Sequence, residues 1–215
     1  MVLAWTGGVI VASLAVALTG FTLNSSPYTI VAFVGEWTML AGVPIVLSRT
    51  RGTGRLSTDF GLRLGGPADV GLGVGAALVA YALVWAYGVL IRVAGDHADL
   101  GHEAKTLSGH GLGIGFVAFG LAAAVGAPIV EELYFRGLTQ PVLQRYLGPA
   151  GGLAVTAAFF GLAHLGSNPI EVVFPLAVFG AIVGGLAWRT GRLGPGIVAH
   201  ITFNGITVVA LATSR

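Results

Sequence analysis

The chain has 215 residues, 35 of them glycine, and 55% of its side chains are apolar. Lys, Arg, Asp and Glu supply only 9%, against about 25% in an ordinary soluble domain. So few charges cannot cover a water-facing surface, which excludes a soluble enzyme and implies a multi-span membrane protein. The absence of cysteine removes disulfides, thiolate metal sites, a cysteine nucleophile and cysteine lipidation. The net charge of +2 is not a nucleic-acid signal, because the bases lie between apolar runs, where they hold topology.

A spanning helix needs about 20 largely apolar residues. In chain order the candidates are about 3–22, ended by Asn24-Ser25-Ser26-Pro27, then about 28–48, interrupted by Glu36, and 70–91. A fourth covers about 107–130, and the last three cover about 150–168, 171–188 and 194–212. Seven spans and one amphipathic segment at 131–147 result, giving an all-α polytopic bundle and a single integral-membrane domain over 1–215. Met1 to Gly35 carries no formal charge, so the first run reads as a signal-anchor helix, not a cleaved leader. Residues 49–69 read as an irregular Gly/Arg-rich loop.

Arg49, Arg51, Arg55, Arg63, Arg136, Arg145, Arg189 and Arg192 fall on one side of such a scheme. The positive-inside rule then places the N-terminus in the cytoplasm and the C-terminus outside. The glycine patterns Gly71-x-Gly73-x-Gly75 and Gly109-x-Gly111-x-Gly113-x-Gly115 open helices and do not follow strands. They predict close helix approach and not phosphate binding. Segment 95–109, with Asp96, Asp99, Glu103, His97 and His102 and with His110 just beyond, reads as a solvated loop. A weak external metal site is its lesser reading. His102-Glu103 is no zinc motif, because Thr106 stands where the second histidine should be.

The informative residues are those that lipid should exclude. Glu131 and Glu132 end a long apolar run, and Arg136 lies four residues after Glu132, so those two share a helical face and can pair. Glu131 points about 100° away and is left for proton chemistry. His164 sits in the fifth span, and His200 and Asn204 share one face of the seventh. Ionisable groups in spans are costly unless they face partners or a wet cavity. These six residues are therefore expected to converge on one polar chamber. A carboxylate and an imidazole can activate water, and an imidazole and an amide can stabilise an oxyanion, which together suffice for amide hydrolysis. No serine or threonine stands among them as a nucleophile, and Ser167 is explained by its turn. Glu36 reads as structural or interfacial. Pro44, Pro128, Pro175 and Pro195 are expected to kink or start helices.

Glu131-Glu132-x-x-x-Arg136, Phe160-x-x-x-His164 and His200-x-x-x-Asn204 resemble, in order and spacing, the three motifs of the CAAX-protease and bacteriocin-processing (Abi-type) family of intramembrane proteases. The resemblance covers about 120–212 and makes 106–215 the catalytic core, with 1–105 supplying N-terminal spans and the basic loop. It implies that Glu131 and His164 activate the hydrolytic water, that Glu132 and Arg136 steady the site, and that His200 and Asn204 stabilise the oxyanion. It implies a membrane-associated protein or peptide substrate in a prokaryotic plasma membrane, with CAAX-type processing or bacteriocin maturation or immunity as the roles. The cofactor stays open between none and a divalent metal such as Zn²⁺, since two histidines and one glutamate could ligate it. The competing classes are a proton-coupled transporter and a catalytically silent immunity or assembly factor. A transporter predicts internal repeats, and none relates 1–105 to 106–215.

Overall fold

A computed structural model describes residues 2–20, 26–108, 112–165 and 168–214. The described residues form helices and no β-strand. Helix α1 (Val2–Thr19) packs along α2 (Ser26–Arg51), which carries Pro44 in its interior. Of the polar break expected at 24–27, Asn24 and Ser25 lie outside the described residues.

The segment expected to be irregular is instead tied down. A short helix α3 (Leu56–Asp59) follows α2. Asp59 accepts hydrogen bonds from the Ser48 hydroxyl, the Thr53 amide at 3.0 Å and the Thr53 hydroxyl at 2.9 Å. These short side chains supply the turn's backbone with local partners, which a count of Gly and Arg does not register. Farther along, Leu193 N–H donates to Gly61 O at 2.8 Å and Gly194 N–H to Arg63 O at 3.1 Å. The buried Asp69 accepts Arg192 Nε at 2.8 Å and also binds the Gly65 amide. The loop thus becomes the clamp that holds the start of the last helix.

Helix α4 (Pro67–Val93) meets the last helix, α10 (Gly194–Thr213), at Gly73. A Cβ there would lie 2.6 Å from Val198 Cβ and 2.7 Å from Pro195 O, so only hydrogen fits. Gly71 and Gly75 would meet nothing within 4 Å. The close approach expected of this motif is made by its middle glycine alone. The polar segment after α4 contains a short helix, α5 (His102–Leu107), with Lys105 Nζ 2.9 Å from both Asp99 oxygens. Gly109, His110 and Gly111 lie outside the described residues, as does the Glu103 side chain.

The next stretch departs from the predicted boundaries. Helix α6 (Ile114–Leu121) runs through a π-turn (Ala122–Gly126) into α7 (Ala127–Glu132). A second π-turn (Leu133–Thr139) leads on into α8 (Gln140–Ala163). The amphipathic segment expected at 131–147 is therefore the continuation of the fourth span. Each π-turn stands immediately before a proline near the start of the following helix, Pro128 or Pro141. A proline crowds the carbonyl four residues back, and widening the turn by one residue relieves that crowding. The continuous path ends only at Gly148, with φ 73° and ψ 167°, followed by Pro149. A 3₁₀ turn (Ile170–Val172) opens α9 (Val173–Thr190), which Gly191 closes at φ 65° in the left-handed region.

Each of the seven predicted intervals carries helix. Among the described residues four runs, Pro67–Val93, Ile114–Ala163, Ile170–Thr190 and Gly194–Thr213, are long and apolar enough to cross a membrane. Large apolar side chains such as Leu18, Leu90, Ile114 and Phe174 face outward. The architecture is a helical membrane bundle, apolar outside as well as in. Its central core joins Leu40 of α2, Ala77 and Ala80 of α4, Tyr134 and Phe135 of the second π-turn, Phe160, Phe179, Val183 and Ala199.

Candidate active site

Four elements meet at the polar residues: α7 with its following π-turn, the end of α8, α9 and α10. The predicted pair forms. Arg136 Nη1 donates to Glu132 Oε1 at 2.9 Å, and both side chains are fully buried. The arginine's other arm donates to Gly180 O of α9 at 3.2 Å. Its Cζ lies 4.4 Å from the centroid of the Phe160 ring, close enough for a cation–π contact.

One turn on, Gln140 Nε2 donates to Gly184 O at 2.9 Å. The stripe Glu132, Arg136, Gln140 therefore faces the Gly180-x-x-x-Gly184 edge of α9. A helical carbonyl has a second lone pair to offer, but a partner reaches it only where no side chain intervenes. Gly180 and Gly184 provide that access: a Cβ on Gly180 would stand 3.3 Å from Arg136 Nη2, and one on Gly184 2.6 Å from Gln140 Oε1. Sequence reasoning missed Gln140 and these glycines. The usable signals were the four-residue step from Arg136 and the small-residue repeat in α9.

Helix α10 brings His200 between the two glutamates. Its Nδ1 is 3.1 Å from Glu132 Oε1 and its Nε2 is 3.9 Å from Glu131 Oε2. Glu131 keeps 16% of its side-chain surface exposed where Glu132 keeps none. The adjacent acids thus occupy different environments, one locked between two donors and one at an accessible edge. Gly196 makes this approach possible, since a Cβ there would sit 3.1 Å from Glu132 Oε2.

His164 ends α8, with Nδ1 2.8 Å from Phe160 O. A carbonyl can only accept, so Nδ1 carries the proton and Nε2 is the basic nitrogen of the neutral ring. Both imidazoles pack on Phe160, with ring centroids 5.0 Å away for His164 and 5.9 Å for His200. The aromatic residue of the Phe160-x-x-x-His164 motif is thus the shared wall of the two histidines. Phe179 closes the other side of His200 at 4.9 Å, edge-on.

Asn204 is held by a different need. Its Nδ2 donates to Ala123 O at 2.8 Å, inside the first π-turn. In the π pattern the donor for that carbonyl would be the amide five residues on, which is Pro128 and has no hydrogen. Asn204 fills the gap with one of its two amide hydrogens. Glu36 lies half-buried on α2, one turn from the buried Leu40, and Ser167 lies outside the described residues.

Among the described residues no group of three or more His, Asp or Glu side chains could hold an ion. Glu132 is committed to Arg136 and His200, whereas the bond from His164 Nδ1 to a carbonyl leaves its Nε2 as the basic nitrogen.

An apolar helical bundle enclosing carboxylates, imidazoles and a guanidinium is an integral membrane protein with a candidate hydrolytic centre. Residues 113–206 match the family described as type II CAAX prenyl endopeptidase Rce1-like. That segment, which carries all three motifs, belongs with the CAAX-protease and bacteriocin-processing family. Protease activity, a membrane-associated substrate and a lipid environment follow at the level of the family. No curated protein and no solved structure matches the chain.

Proposed function

We propose that this protein is an intramembrane endopeptidase that hydrolyses a peptide bond of a membrane-associated protein or peptide, using Glu131 and His164 to activate water. The observation that carries the reading is the division between the two acids: Glu132 is fully buried and held by Arg136 and His200, while Glu131 keeps part of its side chain exposed and turns its buried Oε2 toward His200 Nε2 at 3.9 Å. In this reading Glu131, with His164 Nε2 as its companion base, takes a proton from water while the water oxygen attacks the peptide carbonyl carbon. The carbonyl electron pair moves to oxygen. The resulting oxyanion accepts hydrogen bonds from the second amide hydrogen of Asn204 and from His200 Nε2. Because His200 Nδ1 already faces a carboxylate, Nε2 donates only from the imidazolium. Collapse breaks the C–N bond, and the proton taken from water goes to the leaving nitrogen, yielding a carboxylic acid and an amine.

The basic loops put the N-terminus in the cytoplasm and the C-terminus outside in this proposal. CAAX-type processing and bacteriocin maturation or immunity are its candidate roles. Proteomics of membranes carrying the native protein, Glu131→Gln or His164→Ala provides the test. The expected result is loss of a discrete cleavage event in both variants, with rates down by about 10²–10⁴ for removal of a general base. Products at native levels in both variants would reject the assignment.

A further inference from the structure

Apart from the polar cluster, the bundle contains a cavity of about 390 Å³ at the far end of α4, between α4, α9, α10 and the loop 98–101. Its size falls within the range of about 300–1,000 Å³ typical of small-molecule sites. Tyr81, Trp85, Pro175, Leu176 and Phe203 give it apolar walls, and Arg92 stands at its rim. It is separate from the candidate active site, because Phe203 stacks on Phe179 at 4.8 Å and Phe179 in turn covers His200.

Three features define what it would hold. First, the cavity opens sideways to lipid: Trp85 and Val89 line it and are also 69% and 43% exposed. Second, the rim presents a guanidinium, Arg92. Asp99 also borders the cavity, but Lys105 neutralises it at 2.9 Å through both oxygens. Arg92 is exposed and forms no salt bridge among the described residues. Third, the charges and the apolar walls are arranged by depth. Arg92 is in the last turn of α4, next to the polar segment, and Tyr81 lies 11 residues earlier on the same helix, about 16 Å deeper. A guanidinium at headgroup level above aromatic and aliphatic walls is complementary to a phosphate ester carrying an acyl chain.

We infer that this cavity binds an anionic phospholipid of the surrounding leaflet, its phosphate on Arg92 and one acyl chain along Tyr81, Trp85 and Phe203. The full chain, reconstituted in phosphatidylcholine nanodiscs, would be given trace phosphatidylglycerol or phosphatidylcholine bearing a diazirine on the acyl chain, irradiated, and mapped by peptide mass spectrometry. Expected is labelling of cavity-wall peptides about fivefold stronger with the anionic probe, the attraction of one basic residue near a membrane surface. Arg92→Gln should remove the preference, Arg92→Lys should keep it, and Arg145→Gln should leave it unchanged. Equal labelling by the two probes, a preference that survives Arg92→Gln, or label confined to surfaces outside the cavity would each overturn the inference. Displacement of the label by an apolar peptide but not by unlabelled phosphatidylglycerol would also overturn it, in favour of a peptide occupant.

Discussion

Replacing Arg136 by methionine tests the electrostatics of the site. Methionine retains an apolar stem beside Phe160 and removes three interactions: the 2.9 Å bond to Glu132, the 3.2 Å bond to Gly180 O and the ring contact at 4.4 Å. The Gly180 carbonyl sits inside a helix and tolerates the loss, and the ring contact is worth about 0.5–2 kcal/mol. The dominant consequence is a carboxylate with no exposed side-chain surface, left with His200 Nδ1 at 3.1 Å as its hydrogen-bond partner. Breaking a buried ion pair from one side costs about 3–5 kcal/mol, because the remaining charge is uncompensated. Glu132→Gln should cost a similar amount by stranding the guanidinium. The double variant strands neither charge and should recover most of the loss, so the two substitutions should be strongly non-additive. Unfolding in one detergent, followed by tryptophan fluorescence and circular dichroism, measures all three. A cost below about 1 kcal/mol for Arg136→Met, or a double variant as unstable as the sum of the singles, would refute the reasoning.

Two further predictions concern packing and pH. A Cβ on Gly161 would collide with the Val173 backbone carbonyl, whereas one on Gly185 would meet nothing within 4 Å. Gly161→Ala should therefore cost about 1–3 kcal/mol or more, while Gly185→Ala should be neutral or stabilising by up to about 1 kcal/mol; equal melting temperatures would contradict the packing. At the basic loop, donation from the Ser48 hydroxyl, aided by the Thr53 amide, holds the Asp59 carboxyl below its ordinary 3.8. A depressed value means that this tie is at full strength above the ordinary carboxylate pKa and is lost as pH falls through the lower folded value. Thr53 amide protection, corrected for intrinsic exchange, should therefore be present near neutrality and vanish in strong acid. Protection that does not change with pH would count against the tie.

The charge shortage made a membrane bundle legible from composition, and the spacing of Glu132 and Arg136 made their pairing legible from helical geometry. Boundaries were less legible. The Glu131-Glu132 pair reads as the end of a span, yet it lies mid-helix, because the buried polar stripe finds partners on α9 and the chain does not have to leave the membrane there. The loop at 49–69 looked irregular because its order depends on Asp59, Asp69 and residues 191–194, which supply bonds that no local count contains.

What the sequence determined by itself was the helical class, the set of polar residues too costly for lipid, and the one pair close enough along a helix to satisfy itself. Tertiary structure alone decided that His200 would stand between Glu131 and Glu132, that Arg136 and Gln140 would take the carbonyls of Gly180 and Gly184, and that Asn204 would complete Ala123. Those contacts join positions 44 to 81 residues apart. Helical periodicity fixes which face a residue occupies, but which face it meets depends on where glycine lets two backbones approach and where proline leaves a carbonyl without its donor.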